Sequence, residues 1–438
     1  MNVPKSFIIT TLGCKVNQFE SACLQAELLK AGWVEARRGE RIDVAIVNTC
    51  IVTQRAAHQS RQAIRKLIRE NPNAVTAGVG CYAQVFPDEL AGIQGIGMIA
   101  GNTVKGELPE LILNTKNTGE QRVILKNYQP EMPFDMLQLR RFPGRTRAFL
   151  KIQDGCESFC SYCIVPLARG PYRSLPPANV LSMIESLATE GYREVVLTGI
   201  HLGKYGVDLE GEMNLNLLLR AIGRQALPLR IRLSSLEPNE IDTDIIEMVA
   251  AEKWLCPHFH IPLQSGDDTI LKKMNRNYTA AEFAKIIESI FGMIPLVSIG
   301  VDIMSGFPGE DHVAHQNTCS FINNLPISYL HVFPFSPRKG TAAAAYDGQV
   351  DPKVIKKRAA ELRDLGREKR SAFYKACLGK QVLVLAEEWR SEENMTKGMT
   401  DNYIPVLFPS PRDLKGQLIP VRLERVSKNM VIGSIVNP

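Results

Sequence analysis

Apolar and polar positions follow two different periods along this chain. In residues 1–125, apolar runs at Phe7 to Thr11, Val44 to Val47, Val75 to Val79 and Ile96 to Ile99 alternate with amphipathic stretches at 18–31, 53–70 and 104–114. Short apolar runs read as buried strands, and the 3.6-residue period between them reads as helix. That alternation predicts an open parallel sheet covered by helices. Residues 126–144 contain Pro and Arg without periodicity and read as a linker.

The alternation resumes over 145–350. Candidate strands lie at 147–152, 194–198, 230–234, 257–261, 297–303 and 329–333, with helices near 177–190, 214–225, 239–250, 279–291 and 311–324. Six such units suit a partial (βα)6 barrel better than a closed eight-unit one. A long charged helix over 351–377 has Val354, Leu362, Leu365 and Phe373 marking its buried side. From Gly379 the helical period disappears. Strand runs at 382–385, 403–408, 417–423 and 430–435 predict a small OB-like β-barrel, a shape often used on nucleic acid. The expected fold class is therefore α/β in three domains: 1–125, 145–377 and 378–438.

Composition is that of a soluble globular chain, and no apolar run approaches the ~18–20 residues needed to cross a bilayer. Thr11-Leu12-Gly13-Cys14 faintly resembles a lipoprotein cleavage site. The apolar stretch before it, Phe7-Ile8-Ile9, falls short of the ~7–15 residues of a signal-peptide core, so a cytoplasmic location is expected. Net charge is +6, and residues 351–380, with ten Lys/Arg against four Asp/Glu, carry all of it. Such a stripe, with Lys369 and Arg370 at its centre, suits a polyanion such as RNA and equally a solvated helix face.

Ten cysteines are too many for a cytosolic enzyme without a use for some of them, and they do not form a small secreted disulfide framework. Cys156, Cys160 and Cys163 sit on one loop directly after a strand. Three thiolates there can hold three irons of a 4Fe–4S cluster, leaving the fourth open to the amino and carboxylate groups of S-adenosylmethionine (SAM). A zinc ribbon would need a fourth ligand close by, and none follows. Tyr162 would sit beside the cluster and pack on the adenine of SAM. Cys14, Cys50 and Cys81 each follow one of the first three strands, whose ends converge on one edge of an open parallel sheet. A second 4Fe–4S cluster with an open iron follows from that topology. Cys23, Cys319, Cys377 and Cys256 read as buried apolar groups. In Cys256-Pro257-His258-Phe259-His260, strand alternation puts both histidines on one face without a second ligand pair.

The segments LGCKVNQFES, NTC, GCYAQ, QDGCESFCSYCIVPLARGPYRS, LTGIHLGKYG, RLSSLEP, HIPLQSGDD, GFPGE and HVFPFSPRKGTAA resemble, in that order, the methylthiotransferase family of radical SAM enzymes. The C-terminal GMTDNYIPV resembles the RNA-binding (TRAM) barrel that ends these enzymes. KVNQ and IHLGKYG are most similar to the branch acting on threonylcarbamoyladenosine next to the tRNA anticodon. The isopentenyladenosine branch typically carries QMN there, and the branch acting on a ribosomal-protein aspartate PKN. Ser305, Phe335 and Asp267 depart from the family's usual residues without removing a ligand.

The resemblance implies insertion of a methylthio group into an adenine C–H bond, with tRNA as substrate, SAM and two clusters as cofactors, and an electron donor of flavodoxin or ferredoxin type. A monomer is the expected state. Matching positions imply SAM contacts at Thr198, Gly199, Ser234, Ser235, Gln264 and Asp302. Arg169 and Arg173 flank the cluster loop, where each can meet tRNA phosphate or pair with a carboxylate. No side chain is assigned as catalytic acid or base. A ribosomal-protein substrate or isopentenyladenosine tRNA is the alternative.

Overall fold

The computed structural model describes residues 4–436 apart from 38, 116, 117, 130, 131, 138, 140, 141 and 143. β1 (Ser6–Thr11), β2 (Val34–Glu35), β3 (Val44–Thr49), β4 (Val75–Gly80), β5 (Ile96–Ala100) and β6 (Arg122–Ile124) form a parallel sheet in the order β2-β1-β3-β4-β5-β6. β3 and β4 are buried at every position, as strands covered on both faces must be. α1 (Lys15–Lys30), α2 (Gln54–Glu70), α3 (Cys81–Val85), α4 (Pro87–Ala91) and α5 (Leu108–Leu113) connect them. The four expected strands are present. The helix expected over 104–114 is instead a 3-10 turn at Asn102–Val104 followed by α5. β2 and β6 are too short and exposed to leave an apolar run in the sequence.

β7 (Ala148–Lys151), β10 (Glu194–Thr198), β11 (Arg230–Leu233), β12 (His258–Gln264), β13 (Ser298–Ser305) and β14 (Tyr329–Pro334) are the six expected barrel strands. They pair in parallel as β11-β10-β7 and β12-β13-β14, and the two halves meet through Ile231 with Leu255 and Ser235 with His260. The partial barrel is thus split between β11 and β12. A two-residue antiparallel pair, β8 (Gln153–Asp154) and β9 (Arg173–Ser174), brackets the first cysteine loop and α6 (Val165–Arg169). The outer helices are α7 (Pro177–Thr189), α8 (Leu215–Arg224), α9 (Thr243–Ala251), α10 (Asp268–Lys273), α11 (Ala280–Met293) and α12 (His312–Asn324). The expected linker 126–144 lies partly outside the described residues, and several of its described residues are packed rather than free. Phe134, Leu139 and Phe142 join the barrel's core, and the Phe142 amide donates to the Tyr192 hydroxyl at 2.7 Å.

α13 (Pro352–Ala376) lies against β14, where Gly366 allows the approach: a Cβ there would stand 3.0 Å from Leu330 Cβ. β15 (Gln381–Arg390), β16 (Met395–Thr400), β17 (Pro405–Pro409), β18 (Leu418–Ser427) and β19 (Met430–Ile435) close a barrel in the order β15-β16-β17-β19-β18. β16 escapes sequence analysis because its inward positions are Thr396, Gly398 and Thr400, which alternate in burial without alternating in hydrophobicity. This barrel is fixed to the larger one by Arg230 and Arg232, which share the buried Glu194 at 2.7 and 2.8 Å. The same guanidinium groups donate to the carbonyls of Leu383, Met399, Thr400 and Asp401. Among the described residues no helix is long and apolar enough to cross a membrane.

The N-terminal sheet and the six-stranded half are joined by a second buried charge network. Glu20 of α1 accepts from Lys105, from Lys151 at 3.2 Å and from Arg169 at 2.5 Å. Asp154 accepts from Lys151 at 3.0 Å and Arg169 at 3.2 Å. Glu20, Lys105, Lys151, Asp154 and Arg169 are all buried. Burial alone raises the Asp154 pKa, but Lys151, Arg169 and Arg173 outweigh it and hold the carboxyl far below its usual range. Removing one partner of such a group leaves the other charges uncompensated in a low-dielectric interior. Glu20→Ala is expected to cost about 3–5 kcal/mol, read as a lower thermal unfolding midpoint. An unchanged midpoint would show that the network does not support the join.

Candidate functional site

Cys14, Cys50 and Cys81 follow β1, β3 and β4, at the sheet edge where strand order reverses between β2-β1 and β3-β4. That edge is where open α/β sheets hold ligands. Gly13 has φ +97°, and a Cβ there would lie 2.9 Å from Cys50 Sγ, so the turn carrying Cys14 approaches Cys50 only with glycine. Asn17, fully buried, donates to the carbonyls of Leu12 at 2.8 Å and Thr49 at 3.0 Å, which pins the Cys14 and Cys50 loops together. Cys81 Sγ receives Arg169 Nε at 3.3 Å and Asn102 Nδ2 at 3.4 Å. Burial, reinforced by Cys81 and Cys14, pushes the Cys50 thiol up to about 12.

The other three cysteines occupy the loop between β8 and α6. Gly155, at φ +79°, passes so close to Pro171 that a Cβ would collide with its carbonyl oxygen. Cys156 Sγ lies 3.4 Å from His201 Nδ1, and His201 Nε2 lies 2.7 Å from Glu240. Burial lowers the His201 pKa, but Cys156 and Glu240 raise it further, to about 9. Burial raises the Cys156 thiol, yet the His201 and Ser158 hydrogen bonds bring it below its ordinary value. Arg276 donates to Cys160 Sγ at 3.3 Å and pairs with Glu237. Cys163 is pushed up to about 12 by burial.

A cavity of about 570 Å³ is lined by the three cysteines of this loop and, from the other set, by Cys14 without Cys50 or Cys81. Its wall includes Cys14 from the N-terminal sheet together with Cys156, Cys160 and Cys163. Among the described residues, the one trio of Cys, His, Asp or Glu ligand atoms within 4.8 Å of one another is His260, Asp302 and His331. Neither cysteine trio is drawn so close, whereas thiolates on a single zinc stand only about 3.8 Å apart at its ~2.3 Å Zn–S bonds. Donors to sulfur at Cys81, Cys156 and Cys160 suit thiolate ligands.

Tyr162, Thr198, Gly199, Ser234, Ser235, Gln264 and Asp302 all line this cavity. The Ser234 hydroxyl is buried without a protein partner, and Gln264 holds the left-handed φ of +66°, a strain usually kept where a ligand uses it. A Cβ on Gly199 would press on Gln153 Oε1 at 2.8 Å. Tyr162 meets Phe307 edge to face at 6.5 Å. Ser235 Oγ lies 2.6 Å from His260 Nδ1, and Asp302 binds His260 at 2.8 Å and His331 at 3.3 Å. Burial would raise the Asp302 pKa, but those two histidines hold the carboxyl well below its usual range.

Arg169 and Arg173 correct one expectation. Neither faces solvent where a tRNA phosphate could reach it: both are buried, Arg169 on Glu20, Asp154 and Asn17, and Arg173 on the Arg169 carbonyl. The carboxylate alternative is what the fold uses. Lys369 donates to the carbonyls of Asn323 and Leu325, and Arg370 beside it is half-buried. Sequence reasoning missed Asn17, His201 and Arg276. Each acts through a partner remote in sequence, so no local pattern announces it.

Known proteins bear on this geometry. The family model described as "Uncharacterized protein family UPF0004" matches residues 6–101, and that of the Radical SAM superfamily matches 150–322. The threonylcarbamoyladenosine tRNA methylthiotransferase MtaB of Bacillus subtilis is 36% identical over 94% of this chain and 92% of its own length. That of Aquifex aeolicus is 36% identical over 90% and 95%. The tRNA-2-methylthio-N(6)-dimethylallyladenosine synthase of Dictyoglomus thermophilum is 31% identical over 99% of each chain. The structure of the radical S-adenosylmethionine methyltransferase TsrM from Kitasatospora setae shares the fold with a TM-score of 0.56 at 16% identity, over 78% of this chain and 74% of that one. On matches of this length and identity, the chain belongs to the radical SAM methylthiotransferase family.

Proposed function

We propose that this enzyme inserts a methylthio group into threonylcarbamoyladenosine beside the anticodon of tRNA. The observation that carries the reading is the shared cavity, which Cys14 enters from one half of the molecule and Cys156, Cys160 and Cys163 from the other. A radical SAM enzyme works with a 4Fe–4S cluster and SAM, which we assign to Cys156, Cys160 and Cys163. We assign a second cluster to Cys14, Cys50 and Cys81. When bound, these groups supply radical hydrogen abstraction and sulfur, chemistry that side-chain acids, bases and nucleophiles cannot perform on an unactivated C–H bond. The relatives named for threonylcarbamoyladenosine, at 33–36% identity, support this substrate over dimethylallyladenosine, at 31–32%.

The chain's own residues bind and orient. Thr198, Gly199, Ser234, Ser235, Gln264 and Asp302 would form the SAM wall, with Tyr162 packing on its adenine. His201 beside Cys156 helps hold that thiol below its ordinary value, and Arg276 offsets part of the burial that raises the Cys160 thiol. We assign residues 1–125 to the second-cluster domain, 145–377 to the radical SAM domain and 378–438 to a TRAM-type RNA-binding barrel. The exposed side of α13 would follow the tRNA backbone, with Lys369 and Arg370 at its half-buried edge. A flavodoxin- or ferredoxin-type donor, a cytoplasmic setting and a monomeric state complete the reading.

Three outcomes test it. Nucleoside mass spectrometry of tRNA from a strain lacking the gene should show loss of the methylthio form of threonylcarbamoyladenosine, restored by the wild-type chain; an unchanged tRNA profile would redirect the search to ribosomal proteins. Cys156→Ala should abolish SAM cleavage while iron bound at the other trio remains, and normal cleavage would remove the assignment. Lys369→Ala with Arg370→Ala should weaken RNA binding and reduce the slope of log affinity against log salt by at most about two phosphate contacts' worth.

A further inference from the structure

The cavity contains a cation that no side chain among the described residues pairs directly. Lys15, the first residue of α1 and the neighbour of Cys14, lines the cavity, and its side chain makes no hydrogen bond or ion pair among the described residues. Two carboxylates share that lining, and both are taken: Glu237 by Arg276, and Asp302 by His260 and His331. The surroundings are already cationic. Arg230 and Arg232 divide the single carboxylate of Glu194, and Arg232 and Arg147 act on Lys15 electrostatically more strongly than the opposing Asp302 and Cys14. The first turn of α1 carries no acidic side chain to offset its positive end. A half-buried ammonium in such a place, with no directly paired counter-charge, is costly unless a ligand brings the anion.

The ligand must reach Cys14 on one wall and Cys156, Cys160 and Cys163 on another, which places it at Lys15. We propose that Lys15 binds the free carboxylate of the amino-acid substituent on the substrate adenosine, and so selects an N6-carbamoyl amino acid over a neutral N6-alkenyl group. This rests on the threonylcarbamoyladenosine reading above. The nucleoside's substituent carries one carboxylate, the direct partner Lys15 lacks, whereas an apolar alkenyl group would leave the half-buried ammonium unpaired. Selection of that kind, by leaving a site's polar group unmatched, discriminates more strongly than shape.

The test uses the full-length, cluster-loaded enzyme and two anticodon stem-loop RNAs. One carries threonylcarbamoyladenosine, and the other carries the same nucleoside with its carboxylate as a primary amide. Phosphates, base and urea are common to both, so the ratio of their dissociation constants isolates the carboxylate. The wild type should prefer the acid by about 10- to 100-fold, the range for hydrogen bonding to a charged group. Lys15→Gln should bring the ratio close to one by weakening the acid alone, and Lys15→Arg should restore part of it. Because the ratio is internal to each variant, partial loss of folded protein does not disturb it.

Equal weakening of both RNAs would make Lys15 a phosphate contact, and an unchanged ratio with weaker SAM binding would make it a SAM contact. An unchanged ratio with altered spectra of the second cluster would make it a counter-charge to that cluster. Each of these overturns the proposal while leaving the substrate reading intact. A wild-type enzyme that methylthiolates only dimethylallyladenosine RNA would overturn the substrate reading itself, and the proposal with it.

Discussion

Cys14 from one part of the chain and Cys156, Cys160 and Cys163 from another line a single cavity, and the buried charge network around Glu20, Asp154 and Arg169 holds the two parts together. Arg169 follows the first cysteine loop by six residues, yet its guanidinium reaches Cys81 Sγ, Asn17 and Glu20 in the N-terminal part. Asn17 in turn ties the turns of Cys14 and Cys50. One side chain thus belongs to both halves. A hydrophobic interface could supply the same stability, since well-packed apolar residues often match buried ion pairs. It could not fix direction as narrowly, because a planar guanidinium satisfies its donors in one orientation. The network is best understood as fixing the geometry between the two thiol sets.

The third part is attached by the same device. Arg230 and Arg232 sit side by side near the start of β11, share Glu194 and spend their remaining donors on four backbone carbonyls of the small barrel. Their placement also brings Tyr403 to the cavity wall, under Arg232 at 5.1 Å. The C-terminal barrel therefore contributes directly to the cavity. Any RNA held by that barrel would be presented to a pocket the barrel helps to shape.

Within the cavity, charge is distributed unevenly. Beside the first cysteine loop the cations that reach its sulfurs are paired: His201 with Glu240, Arg276 with Glu237. Toward Lys15 the balance turns positive. Charge compensated at one end and open at the other is a natural arrangement for a site that holds its cofactor permanently and its substrate in passing.

The sequence by itself determined the strand–helix alternation, the six barrel units, the terminal β-barrel and all six candidate cluster cysteines. These are local signals: an apolar run, a 3.6-residue period, three cysteines on one loop, or a cysteine at a strand's end. It failed where the signal depended on inward chemistry, as in β16 with its buried Thr396, Gly398 and Thr400, or on length, as in β2 and β6. Only the tertiary structure decided that Arg169 and Arg173 are buried ties, since an arginine carries the same charge in solvent as beside Glu20. Only it could bring His201 to Cys156 and Arg276 to Cys160, pairs separated by 45 and 116 residues. And only it could leave the Lys15 side chain without a direct partner among the described residues, because whether a charge is paired depends on everything packed around it.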